Sequence, residues 1–557
     1  MGVQAKSKIE MKEEIIKNIE KVLKDKGIEN PVVNFDIPAH SKLGDYSTSV
    51  ALAYAKKLGS KPTELAKEIK EYLVSKKIKH ILRIDVIEPG FINFFLDVHF
   101  FVNNVEEIFS KKENFGKSDH AKGYKMMIEF TDANPFKEFH IGHLMSNTIG
   151  EAICRVVEAN GAEVKRVNYQ GDIGLHVAKA VWAIKNGVES KEAYAHGHKA
   201  YEENEESKRE IIEINKKIYN KSDEEINKIY ENGRKKSLEY FEGIYKILGS
   251  KFDFYFFESE VAKFGKETVE KNIGSVFEKS DGAVVFKGEN YDKKLHTRVF
   301  INKEDLPTYE AKELGLSKIK YDRYPYDASI IITANEINEY FKVLLQAMSL
   351  VFPDLAKKTK HLSHGLLKLP GGKMSSRDGN IISTESLIDQ VKAKVLEKIN
   401  DDLISEQIAL GAIKYSILRQ SIGGDIIFDF DKSISFEGDS GPYLQYATVR
   451  ANSLLKKAEG IVEVSDELPE NWETTNLERV LERFSNIVSR SGMEYAPHYI
   501  ATYLIDLAGE FNSFYATHKI IDKEDKTSPY RLAITKAFVQ VMTTGLELLG
   551  IKVPERM

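Results

Sequence analysis

The segment NPFKEFHIGHLMSN, residues 134–147, sets His140 and His143 three residues apart around Ile141-Gly142, with Lys137 three residues ahead. Two imidazoles at that spacing can meet one anion, ligate a metal or fill a core. The anion has a physical argument. The apolar run YKMMIEF precedes the segment and reads as a buried strand, and a helical pattern with Leu144, Ile149, Ile153 and Val156 on one face follows it. The histidines therefore fall where a helix begins just after a strand. A helix start offers unpaired N–H donors and positive partial charge to a phosphate. In a doubly wound sheet, ligands bind beyond the carboxyl ends of the strands. Gly142 lacks a side chain, so a flat ring can lie against its backbone. A metal would need a third ligand from elsewhere in the chain, and on this segment alone a pair of core or capping histidines stays open.

A second stretch carries chemistry. GGKMSSRDGN, residues 371–380, holds Lys373 and Arg377, the hydroxyls of Ser375 and Ser376, and flanking glycines. Cations and hydroxyl donors that tighten on a leaving pyrophosphate would accelerate its departure. The glycines permit such a loop to close. Taken alone, the stretch is equally well an ordinary basic surface loop.

The elements that must position these residues divide into three expected parts. Residues 1–118 read as a small α+β domain, with IDVIEPGFINFFL as two strands turned at Pro89-Gly90. Residues 119–394 alternate strands such as KMMIEF and EVKRVNYQ with helical stretches, which predicts a parallel α/β sheet. Within them, about 190–250, dense charge with Ile211, Ile214 and Ile218 at helical spacing predicts a helical insertion. Residues 395–557 carry helical periodicity throughout and predict a separate bundle. The bulk numbers agree with a soluble protein of several domains. The 557 residues are 42% hydrophobic and 30% charged, and no apolar run reaches the ~18 residues that a membrane span needs. A single cysteine, Cys154, excludes an internal disulfide and any multi-cysteine zinc site, and no tightly bound metal is expected. With the charged, non-apolar start of the chain, that points to the cytoplasm. The net charge of −5 does not advertise a nucleic-acid binder and does not exclude one, because a local basic face is what matters.

Together the two motifs narrow the field. A His-Ile-Gly-His tetrapeptide at a strand–helix junction, followed about 230 residues later by Lys-Met-Ser-Ser-Arg, resembles the class I aminoacyl-tRNA synthetases, in which both motifs bind ATP. Further segments resemble the arginyl-tRNA synthetases in particular: IEFTDANPFKEFHIGHL, NYQGDIGLHV (168–177), FDFYFFESE (252–260), DGAVVF (281–286), LPTYEAKELG (306–315), SFEGDSGPYLQYATVRA (435–451), the terminal LELLGIKVPERM and, near the start, HSKLGDYSTSVAL (40–52). The likeness spans essentially the whole chain. It implies a Rossmann-like catalytic domain between an N-terminal α+β domain that touches tRNA and a C-terminal all-α anticodon-binding bundle. It further implies ATP with its Mg²⁺, L-arginine and tRNA(Arg) as substrates, no membrane, and a monomer.

By that resemblance His140, Gly142, His143, Lys373, Met374 and Ser375 hold ATP, and Glu129 and Asn134 sit near the amino-acid moiety. Glu258, Tyr309 and Glu313 surround the side chain, as an always-charged planar guanidinium requires. Three departures stand out. Glu313 occupies a position where the family has Asp, Lys312 one where it has Arg, and Ser376 replaces the loop's second lysine. Arg377 or Lys137 must supply the missing charge, and Lys137 is the one expected to do so. Tyr443, Tyr446, Phe511, Phe514 and Tyr515 are candidates for stacking on unpaired anticodon bases, although most of them are expected to be bundle core. Three rivals are a nucleotidylyltransferase with the same histidine motif, a non-catalytic tRNA-binding relative, and a class I synthetase for another amino acid. The large helical part speaks against the first, the retained histidines against the second and the carboxylate set against the third.

Overall fold

The computed structural model describes residues 3–38, 40–369 and 382–557, so Lys373, Met374, Ser375 and Arg377 lie outside the described residues. The chain forms two compact units. One comprises Met1–Gly116, Ala447–Asn486 and Tyr503–Thr544; the other comprises Lys117–Tyr446, Ile487–Thr502 and Gly545–Met557.

The first unit is built on a three-stranded antiparallel sheet, β1 (Tyr46–Thr48), β2 (Ile81–Ile87) and β3 (Phe91–Leu96), in the order β1-β3-β2. The turn at Pro89-Gly90 joins β2 to β3, as the sequence predicts. Val98–Lys111 is a helix because Asp97 caps its first turn, accepting from the Phe100 N–H at 2.9 Å. Its Phe100, Phe101, Val105 and Ile108 join Ile92 and Phe94 of β3 among the fully buried side chains. In the same unit Phe484 stacks on Phe115 at 6.0 Å, and between the helices His498–Thr517 and Ser528–Leu548 Phe511 stacks on Phe538 at 4.0 Å.

The second unit carries the parallel sheet. Its strands are β4 (Lys125–Glu129), β5 (Glu163–Gln170), β6 (Phe254–Phe257), β10 (Ala328–Ala334) and β11 (Thr359–His364). The order is β11-β10-β4-β5-β6, every pairing parallel. The chain starts in the centre, winds outward one way through β5 and β6, then returns to the other side of β4 through β10 and β11. The reversal between β4 and β10 is the switch point at which such sheets open a crevice. A separate antiparallel sheet, β7 (Glu278–Ser280), β8 (Ala283–Lys287) and β9 (Thr297–Ile301), lies in sequence between β6 and β10 around Phe277, Phe286 and Phe300.

The parallel strands are apolar on both faces, Met126–Ile128 and Ile330–Ile332 being buried, because helices cover both sides. The helix Ile141–Ala159 packs so tightly that a Cβ on Gly150 would lie 2.2 Å from the Phe130 ring. Between β5 and β6 run the helices Leu175–Lys185, Ser190–Glu203, Glu205–Asn220 and Glu224–Leu248. Ile211, Ile214 and Ile218 bury one face against Val177 and Val181, which is why their helical spacing was readable.

Candidate functional site

The loop between β4 and the helix Ile141–Ala159 brings most of the motif residues to the carboxyl edge of the sheet. Thr131, Asp132 and Phe136 have φ of 83°, 51° and 68°, in the left-handed region that costs side-chain-bearing residues energy. The loop holds this shape because its neighbours over-determine it. The Thr131 N–H donates to Ser146 Oγ at 3.0 Å, and the Phe136 N–H to Ser237 Oγ at 3.0 Å. Asp132 Oδ1 accepts from the Tyr169 N–H at 3.0 Å, and Asn134 Oδ1 from the Gly171 N–H at 2.7 Å. Gly171 is required there: a Cβ would sit 2.5 Å from Asn134 Oδ1 and 3.2 Å from Glu258 Oε1.

His140 is the N-cap. Its Nδ1 accepts the Gly142 N–H at 3.1 Å, and its own N–H donates to His143 Nδ1 at 3.2 Å, a reciprocal capping box made by two histidines. The rings stack with centroids 3.8 Å apart. A Cβ on Gly142 would lie 2.9 Å from His140 Cε1, so the flat ring that this glycine admits in the structure is His140's own. Because both Nδ1 atoms accept, both rings carry their proton on Nε2 and are donors. Burial and the nearby Lys137 ammonium push His140 down to about 4, and burial and His140 push His143 well below the usual range. The pair is neutral at pH 7 and works through N–H donation.

Residues Ile382–Thr384, which follow the GGKMSSRDGN stretch in sequence, are pinned to the same motif. The Ile141 N–H donates to the Ile382 carbonyl at 3.3 Å and the Thr384 N–H to the Phe139 carbonyl at 2.9 Å. Lys137 is half-buried with no ion-pair partner among the described residues, and its Nζ lies 4.8 Å from the Tyr194 ring. Burial lowers its pKa, against the pull of Glu258.

The carboxylates group beside this loop. Glu129, at the end of β4, is buried and accepts from Lys320 Nζ at 2.7 Å. Glu258 opens the helix Glu258–Lys271 and accepts from Lys312 Nζ at 2.6 Å, both side chains being buried. The departure at Lys312 is thus one cation pairing a buried acid. Glu313, on the helix Tyr309–Arg323, has no hydrogen bond or ion pair among the described residues. Burial, then the charge of Glu129, pushes its carboxyl well up, with Lys320 opposing and Asp132 and Glu258 adding to the rise. Asp132 is raised in the same way, by burial and Glu129. The hydroxyls of Tyr169 and Tyr340 are buried and unpartnered among the described residues, and both phenols are raised by burial and by the nearby acids Glu258 and Glu313. Tyr309 lies at the rim, 57% exposed, its ring 5.0 Å from Lys312 Nζ.

Sequence reading missed Asp132, Lys320, Tyr169 and Tyr340. Asp132 and Tyr169 lay inside quoted segments, and their position just past or at the end of a strand was the available signal. Nothing local marks Lys320 or Tyr340. Of the stacking candidates, Phe511 and Phe514 are 0% and 3% exposed and belong to the core of the first unit, the place expected for most of the set, so they cannot receive a base. Three residues apart on a helix, they share its inner face. Tyr515 stays half-exposed beneath Arg450, 4.1 Å from its ring, and Tyr446 is exposed.

A parallel sheet in this order, with a His-Ile-Gly-His cap on the helix that leaves its central strand, is the nucleotide fold of the class I aminoacyl-tRNA synthetases. Three family models match the chain in succession: Arginyl tRNA synthetase N terminal domain over residues 10–96, tRNA synthetases class I (R), catalytic domain over 104–430, and DALR anticodon binding domain over 444–557. The chain belongs to the arginyl-tRNA synthetase family. It is 29% identical over 578 residues to the arginine–tRNA ligase of Methanocaldococcus jannaschii, covering 99% of this chain and 100% of that one. It is 29% identical over 572 residues to that of Clostridium kluyveri, covering 98% and 99%. Its fold matches the arginyl-tRNA synthetase of Thermus thermophilus with a TM-score of 0.73 at 23% identity over 98% of this chain and 100% of that one. The Plasmodium falciparum enzyme matches with 0.78 at 21% over 98% and 99%.

Proposed function

We propose how this arginine–tRNA ligase distributes its chemistry. The enzyme activates L-arginine with ATP to arginyl-adenylate and transfers the arginyl group to tRNA(Arg). In the first step the arginine carboxylate attacks the α-phosphate of ATP, supplied with Mg²⁺, and pyrophosphate leaves. In the second, a ribose hydroxyl of the terminal adenosine, the 2′-OH, attacks the acyl carbon and AMP leaves. The chain forms no covalent bond to either substrate, so its contribution is positioning and charge stabilisation.

His140 and His143 donate their Nε2–H groups to phosphate oxygens as charge develops there. Neutral donors suit this role because they need no counter-ion in the free enzyme. Lys137 supplies the cation that Ser376 does not. Lys373 and Arg377, with Met374 and Ser375, act from the loop whose following residues are bonded to the motif.

The acidic group takes the amino acid. Four carboxyls, Glu129, Asp132, Glu258 and Glu313, stand against two buried lysines, Lys312 and Lys320. L-arginine brings two cations, its ammonium and its guanidinium. The observation that carries this reading is the Glu313 carboxyl, half-buried and without a hydrogen bond or ion pair among the described residues, beside the unpartnered hydroxyls of Tyr169 and Tyr340: a carboxylate shielded from water without a counter-ion is costly, and a ligand guanidinium relieves it. Glu129 and Asn134 then face the α-amino end, and Glu258 and Tyr309 line the side-chain end. The helical C-terminal part reads the anticodon, with Tyr446 as an exposed ring available for stacking.

The test is aminoacylation of unfractionated tRNA with each labelled amino acid in turn, with His143→Ala as control. Charging with arginine alone, abolished by the substitution, is expected. Charging with another amino acid, or none with tRNA binding intact, overturns the assignment.

A further inference from the structure

The helix Ser190–Glu203 of the insertion reaches the phosphate side of the site. In the stretch AYAHGHKAY, residues 193–201, Tyr194, His198 and Tyr201 follow one another at helical spacing and share one face. The neighbouring face, with Ala193 and Gly197 buried, packs on the helix Leu175–Lys185. A Cβ on Gly197 would lie 2.0 Å from the Lys179 carbonyl oxygen, so glycine lets the two backbones touch there. That close approach fixes where the shared face points.

The face carries a chain of contacts that ends at the motif loop. The Tyr194 ring lies 10° from parallel to the His198 ring, with centroids 6.1 Å apart. His198 Nδ1 is 2.9 Å from Lys179 Nζ. An ammonium can only donate, so His198 accepts there, is neutral and carries its proton on Nε2. Lys179 is buried in turn, its Nζ 3.6 Å from Glu202 and 4.1 Å from the Tyr201 ring. Each member is held by the next. The end that faces the site is the Tyr194 ring, 4.8 Å from Lys137 Nζ.

Lys137 is a side chain that needs such a contact. Its backbone is already fixed: its N–H donates to the Asn134 carbonyl at 3.3 Å, and a Cβ on Gly233 would lie 2.2 Å from the ring of its neighbour Phe136. Its four-carbon stem is flexible, and its ammonium has no hydrogen bond or ion pair among the described residues. A carboxylate partner would hold the ammonium but would also cancel its charge and compete with phosphate. An aromatic face attracts a cation through its quadrupole and leaves the N–H donors to other acceptors.

We propose that Tyr194 is a positioning residue for adenylate formation, its ring orienting the Lys137 ammonium towards the leaving pyrophosphate while His198 and Lys179 hold the ring. The inference rests on the reading above in which Lys137 acts on the phosphates.

The experiment is ATP–pyrophosphate exchange by the full chain, with arginine and tRNA(Arg) saturating and ATP varied. It compares the wild type, Lys137→Met, Tyr194→Phe, Tyr194→Leu and the double variant Lys137→Met/Tyr194→Leu. Lys137→Met is expected to lower kcat by about 10²-fold. Tyr194→Leu is expected to lower kcat by about tenfold with the ATP KM within about twofold of wild type, because a wandering cation is missed most in the transition state. Tyr194→Phe keeps the ring face and should stay within about twofold of wild type in kcat. In the Lys137→Met background, Tyr194→Leu should cost less than about a further twofold, since the two side chains act as one. The same tenfold loss with and without Lys137 overturns the proposal, because a merely structural tyrosine acts independently of the cation. Tyr194→Leu at the wild-type rate, or Tyr194→Phe as slow as Tyr194→Leu, also overturns it. Tyr194→Met, a second ring-free variant, must show the same coupling to Lys137 if Tyr194→Leu folds poorly. A Lys137→Met enzyme as fast as wild type overturns the phosphate role of Lys137 and the proposal with it, whereas a slow Lys137→Met beside an uncoupled Tyr194→Leu overturns the proposal alone.

Discussion

The two halves of the catalytic site differ in what they lack. On the phosphate side every Nδ1 and capping N–H of the histidine pair is already bonded within the protein, and what faces outward is a pair of neutral N–H donors. On the proposed amino-acid side Glu129 and Glu258 are paired, while Glu313 and the hydroxyls of Tyr169 and Tyr340 have no partners among the described residues. The first half is complete in the free enzyme; on the proposed reading, the second is completed by the cation of the substrate. An anion that arrives with its own Mg²⁺ needs rigid donors, and rigidity comes from satisfying the donors' other ends. A guanidinium that must be told from neutral analogues needs an acid whose isolation is costly, because that cost becomes the discrimination.

The largest expected effect is on the incomplete half. Glu313→Gln is expected to lower kcat/KM for arginine by about 10³-fold, mainly through KM, since a buried charged contact of the ligand is lost. Steady-state charging with varied arginine checks this. A loss under tenfold would show that Glu313 does not face the guanidinium. On the complete half, His143→Ala is expected to lower kcat by about 10²-fold with arginine KM little changed, the mark of a donor that matters in the transition state. An effect confined to KM would break the contrast.

Gly171→Ala probes the joint between the halves, because the added methyl meets Asn134 Oδ1 and Glu258 together. A loss of about tenfold in kcat/KM is expected, with kcat and KM both affected, as overpacking of about 1–3 kcal/mol displaces the loop. The smallest effect is on stability and separates the halves by sign. Glu313 has a raised pKa, so in the free enzyme its ionised form opposes folding at neutral pH, and the penalty fades as pH falls through its folded value. Glu313→Gln should therefore melt a few degrees above wild type at pH 7.5, the gap closing on acidification. The histidines act oppositely. With His140 held near 4, the unfolded chain takes up protons first, so stability is lost as pH drops from about 6.5 towards 4. His140→Gln should flatten that part of the Tm profile, read by calorimetry between pH 7 and 5.

Much of this architecture was legible locally. The run EVKRVNYQ is the strand Glu163–Gln170, and the helix after His140 begins where the apolar spacing of Leu144, Ile149 and Ile153 requires. The placement of the histidines was legible because a strand–helix junction depends on neighbours in sequence. The pairs Glu129–Lys320 and Glu258–Lys312 were not, since their members lie 191 and 54 residues apart and meet only through the sheet order. The same distance effect kept a stacking role open for Phe511 and Phe514 beside the core reading: an aromatic on a helix looks alike in sequence whether it faces RNA or the stacked ring of Phe538. Glu313 was legible as a carboxylate in a matching segment, but its lack of a partner among the described residues is a property of the folded cluster.

The most direct measurement compares arginine with citrulline, its neutral isostere, in adenylate formation at saturating ATP and tRNA(Arg), for wild type and Glu313→Gln. If the incomplete half is waiting for a cation, the wild type prefers arginine by at least about 10³-fold in kcat/KM and the variant loses most of that preference. A Glu313→Gln enzyme that keeps the full arginine-to-citrulline ratio would contradict the account.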